Sequence, residues 1–182
     1  MKRRSILTGA AAMSASALGS PIQADSPQRV IRVAAGQDRF SEHLPLGGGR
    51  SIVYWKVSAK DNRGAWSVFE AQWQMKGGPP LHVHQSQDEW FYVIQGEFVV
   101  QVGNERFRAT PGDSLFAPRQ VPHTFAHVGD GAGKMITAFQ PAGSMEAFFR
   151  EQSKITGAPT AEEVQRMFRA HGMEVLGPAL AL

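Results

Sequence analysis

The chain contains no cysteine, which excludes disulfides, zinc–cysteine sites and thiolate nucleophiles, so any bound metal must be held by nitrogen and oxygen ligands. Long hydrophobic runs are missing too. The apolar stretch from Ile6 to Leu18 is broken by Ser, Thr and Gly, whereas a membrane-spanning helix needs about 20 strongly apolar residues; stable membrane insertion is not expected. A strong excess of either charge is also absent. The 19 Lys and Arg stand against 16 Asp and Glu, and Lys2, Arg3 and Arg4 sit at the very start. Without those three the count is 16 against 16, which takes away the main support for nucleic-acid binding.

The same start carries a targeting pattern. MKRRSILTGAAAMSASALGSPIQADS has a basic n-region, a mild apolar stretch and a small-residue cleavage pattern ending near Ala24, the make-up of an export signal over residues 1–24. The RRSIL arrangement resembles a twin-arginine signal, which implies export of an already folded protein across a bacterial inner membrane. An ordinary secretory signal beginning KRR leads to the same location, the periplasm or beyond.

What is abundant is turn and strand chemistry. Nineteen Gly and eleven Pro in 182 residues punctuate short runs rich in Val, Phe, Trp and Tyr, which predicts an all-β body with one core. RSIVYWKVSAK and AWSVFEAQWQM read as a hairpin turned by Asp61, Asn62 and Gly64, and EFVVQV and ERFRA as a second turned at Gly103-Asn104. VPHTFAHV is expected to pair with KMITAF across Gly129 to Gly133. RVIRVA reads as an edge strand and LPLGGGR as a loop. Toward the C-terminus the period switches: Ser144 opens a short helix through FFREQ, and Thr160 with Glu163 forms a capping box ahead of EEVQRMFRAHG. Val164, Met167, Phe168 and Met173 give that segment an apolar stripe suited to packing, with Gly172 as its stop. The expected organisation is an N-terminal arm over 25–49, a β-barrel over 50–142 and a helical segment over 143–182.

Two of the six histidines, His82 and His84, lie one residue apart in LHVH. On an extended strand they project to the same face, with Val83 opposite. A turn through Gln85, Ser86 and Gln87 would return the next strand alongside and let Glu89 face the same interior. His123 comes from a later strand after a proline-containing turn. Three imidazoles and a carboxylate make a mixed nitrogen and oxygen site for a divalent transition metal, with positions left for water or substrate.

The spacing G-x4-H-x-H-x4-E-x6-G through Gly77, His82, His84, Glu89 and Gly96, with G-x5-P-x4-H through Gly112, Pro118 and His123, resembles the two motifs of the cupin family. The resemblance runs closely from Trp73 to Val128. It implies a small antiparallel β-barrel, or jelly roll, with a metal in its mouth held by His82, His84, Glu89 and His123. The chain departs from the pattern at three places. Lys76 stands where the first motif has a glycine, Gln120 where the second has one after its proline, and His127 where asparagine is frequent. By strand parity His123, Phe125 and His127 share one face, so His127 is either a substrate-facing base or a rim histidine bonded to backbone. Phe91 and Val93 share the parity of Glu89 and, with Phe125 opposite, are expected to line a small-molecule cavity or to fill the barrel.

The overall look is similar to that of quercetin dioxygenase-like cupins. That likeness implies insertion of O2 into a small phenolic or enolic compound bound at the metal, with Glu89 as ligand or proton acceptor. The alternatives are a non-catalytic periplasmic protein that binds metal or a small ligand, and a metal-dependent isomerase or lyase. The ligand set accepts Mn, Fe, Co, Ni, Cu or Zn; loading in the cytoplasm before twin-arginine export favours Mn or Fe. A homodimer, built through an edge strand or a swapped N-terminal strand, is the expected assembly.

Overall fold

The computed structural model describes residues 30–182; the export segment and its cleavage point near Ala24 lie outside the described residues. Val33 to Leu182 form one unit. Its strands run in chain order as β1 (Leu44–Leu46), β2 (Ser51–Val57), β3 (Ser67–Trp73), β4 (Pro80–His84), β5 (Asp88–Gln95), β6 (Phe98–Val102), β7 (Glu105–Ala109), β8 (Ser114–Ala117), β9 (His123–His127) and β10 (Gly133–Gln140). Helices α1 (Met145–Gln152) and α2 (Ala161–Ala170) follow, and strand β11 (Met173–Ala179) ends the fold.

The strands form two antiparallel sheets, ordered β1-β2-β3-β10-β5-β8 and β11-β4-β9-β6-β7. This is the all-β jelly roll that the sequence predicts. Period-2 alternation builds the space between the sheets: β10 buries Met135, Thr137 and Phe139, and β5 buries Glu89, Phe91 and Val93 while Trp90 and Tyr92 face outward. Trp55, Phe69, Phe98 and Val100 complete the core. Each fully buried side chain of this kind stabilises the fold by about 1.5–3 kcal/mol; Glu89 is the one charge within the β5 row.

Both expected hairpins, β2–β3 and β6–β7, are present, and Thr160 and Glu163 close the capping box of α2. Ser144 is the N-cap of α1 but makes no side-chain cap bond.

Several expectations are corrected. β9 does not pair with β10; it lies between β4 and β6, and β10 lies between β3 and β5 in the other sheet. Both strands bury an inner row, so they face each other across the core, and the Gly129–Gly133 link crosses between the sheets. Bulk enforces glycine at that crossing, because a Cβ on Gly133 would lie 2.5 Å from His127 Cδ2. Likewise β4 and β5 are not neighbours, and the Gln85–Gln87 corner carries the chain from one sheet to the other. RVIRVA has no strand over its described residues, Val30 to Ala34. LPL is strand β1, paired with β2, and only the glycines beyond it turn. The C-terminal segment is not purely helical either: β11 adds an edge strand beside β4, with register shifts around Gly177 that accommodate Pro178.

Candidate metal centre

His82 and His84 lie on β4, Glu89 at the start of β5 and His123 at the start of β9. His82 and His123 are direct antiparallel partners, and Glu89 reaches them from the opposite sheet. One ligand atom from each of the four residues lies within 4.8 Å of all the others, and all four residues are buried. Glu89 Oε2 is 2.9 Å from His123 Nε2 and 3.3 Å from His84 Nε2.

The outer nitrogens are occupied in a way that aims the inner ones. His82 Nδ1–H donates to the Pro80 carbonyl at 2.8 Å and His123 Nδ1–H to the Val121 carbonyl at 2.9 Å. His84 Nδ1 lies 3.5 Å from Gln87 Oε1, while Gln87 Nε2 donates to the Ala142 carbonyl at 2.9 Å. Each Nδ1 thus faces an acceptor, which aims Nε2 at the centre, the orientation a metal-binding imidazole requires once Nε2 carries no proton.

Local backbone chemistry holds these strands in place. A Cβ at Gly78 would sit 1.7 Å from the Phe125 carbonyl oxygen, so only glycine lets the chain entering β4 approach β9 this closely. The departures at Lys76 and Gln120 are absorbed locally. Gly77 and Gly78 do the work expected of the shifted glycine. Gln120 takes the left-handed conformation, φ 64°, and donates its backbone N–H to the His84 carbonyl at 2.8 Å. Asp88, pointing outward beside Glu89, accepts from Arg119 N, Nε and Nη2 at 2.8, 3.0 and 2.7 Å. The Arg119 guanidinium, and then its backbone N–H, pull the Asp88 carboxyl down to about 2. This clamp fixes the turn ahead of His123. Gln87 and Asp88 were not singled out in the sequence, where a polar corner reads as ordinary turn chemistry.

The charges balance inside the cluster. Burial, followed by the neighbouring His123 and His84, pushes His82 down to about 3, so it is neutral. Burial alone would raise Glu89, but hydrogen bonds from His123 and His84 outweigh it and keep the carboxylate ionised. Burial opposes a proton on His123, yet the bond to Glu89 prevails and raises its pKa. Glu89 thus favours a proton on His123 beside its own carboxylate. Three imidazoles and an ionised carboxylate are a fitting donor set for one divalent transition metal.

The cluster opens onto a cavity of about 110 Å³. His82, His84 and Glu89 are in its wall, with Phe125, Phe139 and Phe69 from the sheets and Phe148, Phe149 and Phe168 from the helices. Phe168 packs edge-on to His82 at 5.4 Å. The helices thus roof the site, and their apolar stripes are cavity wall as well as packing.

Three expected cavity residues are not among those that line it. Phe91 and Val93 are fully buried between the sheets, because each two-residue step along β5 moves about 6.6 Å further from Glu89. Phe91 packs on Phe125 at 5.5 Å. His127 is buried at 1% exposure, with Nδ1 3.4 Å from the Met75 carbonyl and its ring against Phe98 at 5.2 Å. Four residues of strand, about 13 Å, separate it from His123. The backbone-bonded alternative is the one observed, and only Phe125 of the four lines the cavity.

Residues 70–139 match the family described as the cupin domain. Among curated proteins, the chain is similar to the uncharacterized protein MJ1618 of Methanocaldococcus jannaschii, with 29% identity over 66 residues, 36% of this chain and 53% of that protein. It is also similar to the polyketide synthase CurC of Streptomyces cyaneus, with 30% identity over 80 residues, 43% of this chain and 52% of that one. The chain spans about half the length of these curated relatives. Among solved structures, the polyketide cyclase RemF of Streptomyces resistomycificus superposes with a TM-score of 0.52 at 17% identity, over 62% of this chain and 80% of the other. At that identity the likeness speaks for the fold. The match over residues 70–139 likens that stretch to a cupin domain, and the two-sheet fold agrees with it.

Proposed function

We propose that this protein is a metal-dependent enzyme acting on a small aromatic or enolic compound, and that its reaction is dioxygenation, with both atoms of O2 entering the substrate. The observation that supports this is the convergence of His82, His84, His123 and Glu89 on one point, with His82, His84 and Glu89 in the wall of a cavity that is rich in aromatic rings. A bound Mn or Fe would supply Lewis acidity toward a substrate oxygen and a place for O2. The chain's own residues do the rest. His82, His84 and His123 would hold the ion; Glu89 Oε2 is placed either to join them or to accept the proton of the substrate hydroxyl. The phenylalanines of α1 and α2 exclude water and stack on the apolar body of the ligand.

Size narrows the substrate. A cavity of about 150 Å³ takes up one benzene ring, so the roughly 110 Å³ here suits a single ring or a compact enol. A multi-ring flavonol would enter only at one end. The similarity to the polyketide synthase CurC favours a second reading, metal-dependent isomerisation or lyase chemistry on a polyketide-type compound without oxygen. Location in the periplasm, a homodimeric state and Mn or Fe as the native metal complete the proposal.

The test is an oxygen-electrode assay of the metal-loaded protein with a panel of single-ring phenols and enols, run beside anaerobic conversion. Oxygen uptake stoichiometric with substrate loss is expected. Equal turnover without oxygen would favour the second reading, and no turnover in either would leave a binding protein.

A further inference from the structure

The Gly47–Gly49 turn between β1 and β2 takes positive φ at all three glycines and delivers Arg50 to the edge of the cavity. Arg50 is half-buried. Its carbonyl accepts from Gln74 N at 2.9 Å, which pins the backbone to the end of β3. Its side chain lies across Gly77: a Cβ there would be 3.1 Å from Arg50 Cδ and 3.2 Å from Nε. Among the described residues the guanidinium is the one Lys or Arg side chain in the cavity wall, and Glu89 is the one acid there. Glu89 is engaged by His123 and His84. Among the described residues Arg50 has neither an ion pair nor a side-chain hydrogen bond, whereas Arg39, Arg119 and Arg150 each hold a carboxylate. Trp73 stands in the same wall, in register with Ser51, and its indole N–H is buried without an acceptor.

A divalent ion with Glu89 and three neutral imidazoles leaves one positive charge in the site, and Arg50 adds another. Such a cavity favours an anion, and the bidentate fork of arginine matches a carboxylate. We infer that Arg50 binds the carboxylate of the substrate, so that the substrate class is a small aromatic or enolic compound that carries a carboxylate, held by Arg50 at the mouth with its apolar body against the phenylalanines. This rests on the proposed metal-dependent reading of the same cavity and deepens it.

The experiment is calorimetric titration of the metal-loaded full chain with benzoate and its neutral isostere benzamide, and with the smaller pair isobutyrate and isobutyramide. Wild type, Arg50→Gln and Arg50→Lys are compared, with metal content and melting temperature measured on each sample. Wild type should prefer the carboxylate of at least one pair by about tenfold or more. Arg50→Gln should lose that preference without losing metal or lowering the melting temperature, and Arg50→Lys should keep part of it. An unchanged preference in Arg50→Gln overturns the inference by assigning the anion to the metal, and so does the absence of any carboxylate preference or of binding in wild type. The two readings separate: a preference that falls with Arg50→Gln in protein that never takes up metal sustains the role of Arg50 and removes the metal-dependent enzyme.

Discussion

At the scale of single residues, the cluster contains a pH dependence whose sign can be worked out. In metal-free protein His82 stays neutral down to about 3, while an unfolded histidine titrates near 6.5. Below about pH 6.5 the unfolded chain takes the proton that His82 refuses, so stability falls with pH until about 3. Glu89, lowered from 4.5, adds a second loss as pH falls below that value. His123 works the other way: its raised pKa contributes in full below about 6.5 and is lost as pH rises through the folded value. The urea midpoint of metal-free protein should therefore be lower at pH 4.5 than at pH 6.5; a midpoint that rises on acidification would contradict this assignment. Metal uptake must expel the His123 proton, so affinity should increase with pH. Gln87 orients His84, and Gln87→Ala should weaken metal binding by roughly 10- to 100-fold with the fold intact. A chelator competition showing unchanged affinity would remove Gln87 from the site's support.

At the scale of elements, α1 is both roof and core. Phe148 is 4% exposed and meets Phe168 of α2 edge-on at 5.0 Å. Phe148→Ala should cost about 3–5 kcal/mol in chemical denaturation and widen the cavity toward two-ring ligands; a loss below about 1 kcal/mol would mean that the roof packs loosely. The turn before His123 offers a gentler case. Gln120 sits at φ 64°, where a non-glycine residue costs about 1 kcal/mol, so Gln120→Gly should leave the melting temperature unchanged or raise it. A clear fall would show that the Gln120 side chain holds the turn. How far the sequence could be read also differs element by element. The convergence of His82, His84, Glu89 and His123 was legible because strand parity and motif spacing are local: Glu89 and His82 keep their facing whichever sheets their strands join. The pairing of β9 with β6, and not with β10, was not legible, because a glycine-rich link can close a hairpin or cross a sandwich with equal ease. β11 was hidden because Pro178 and Gly177 read as breakers, and only the bulged edge beside β4 accommodates them. Phe91, Val93 and His127 have the inward parity expected of them, but parity does not say how far along a strand the cavity extends.

At the scale of the whole molecule, the jelly roll brings residues from two sheets and two helices around one buried carboxylate. The arrangement is stable as a metal site and expensive as anything else, since a buried Glu with three histidines has little to offer an apolar core. No helix among the described residues is long and apolar enough to cross a membrane. The most direct measurement is elemental analysis of the purified protein beside a His82→Ala/His84→Ala variant, with folding of both checked by circular dichroism. About one transition-metal ion per chain in the wild type, absent from the variant, is the predicted result. No metal in either protein, or equal metal in both, would contradict the account.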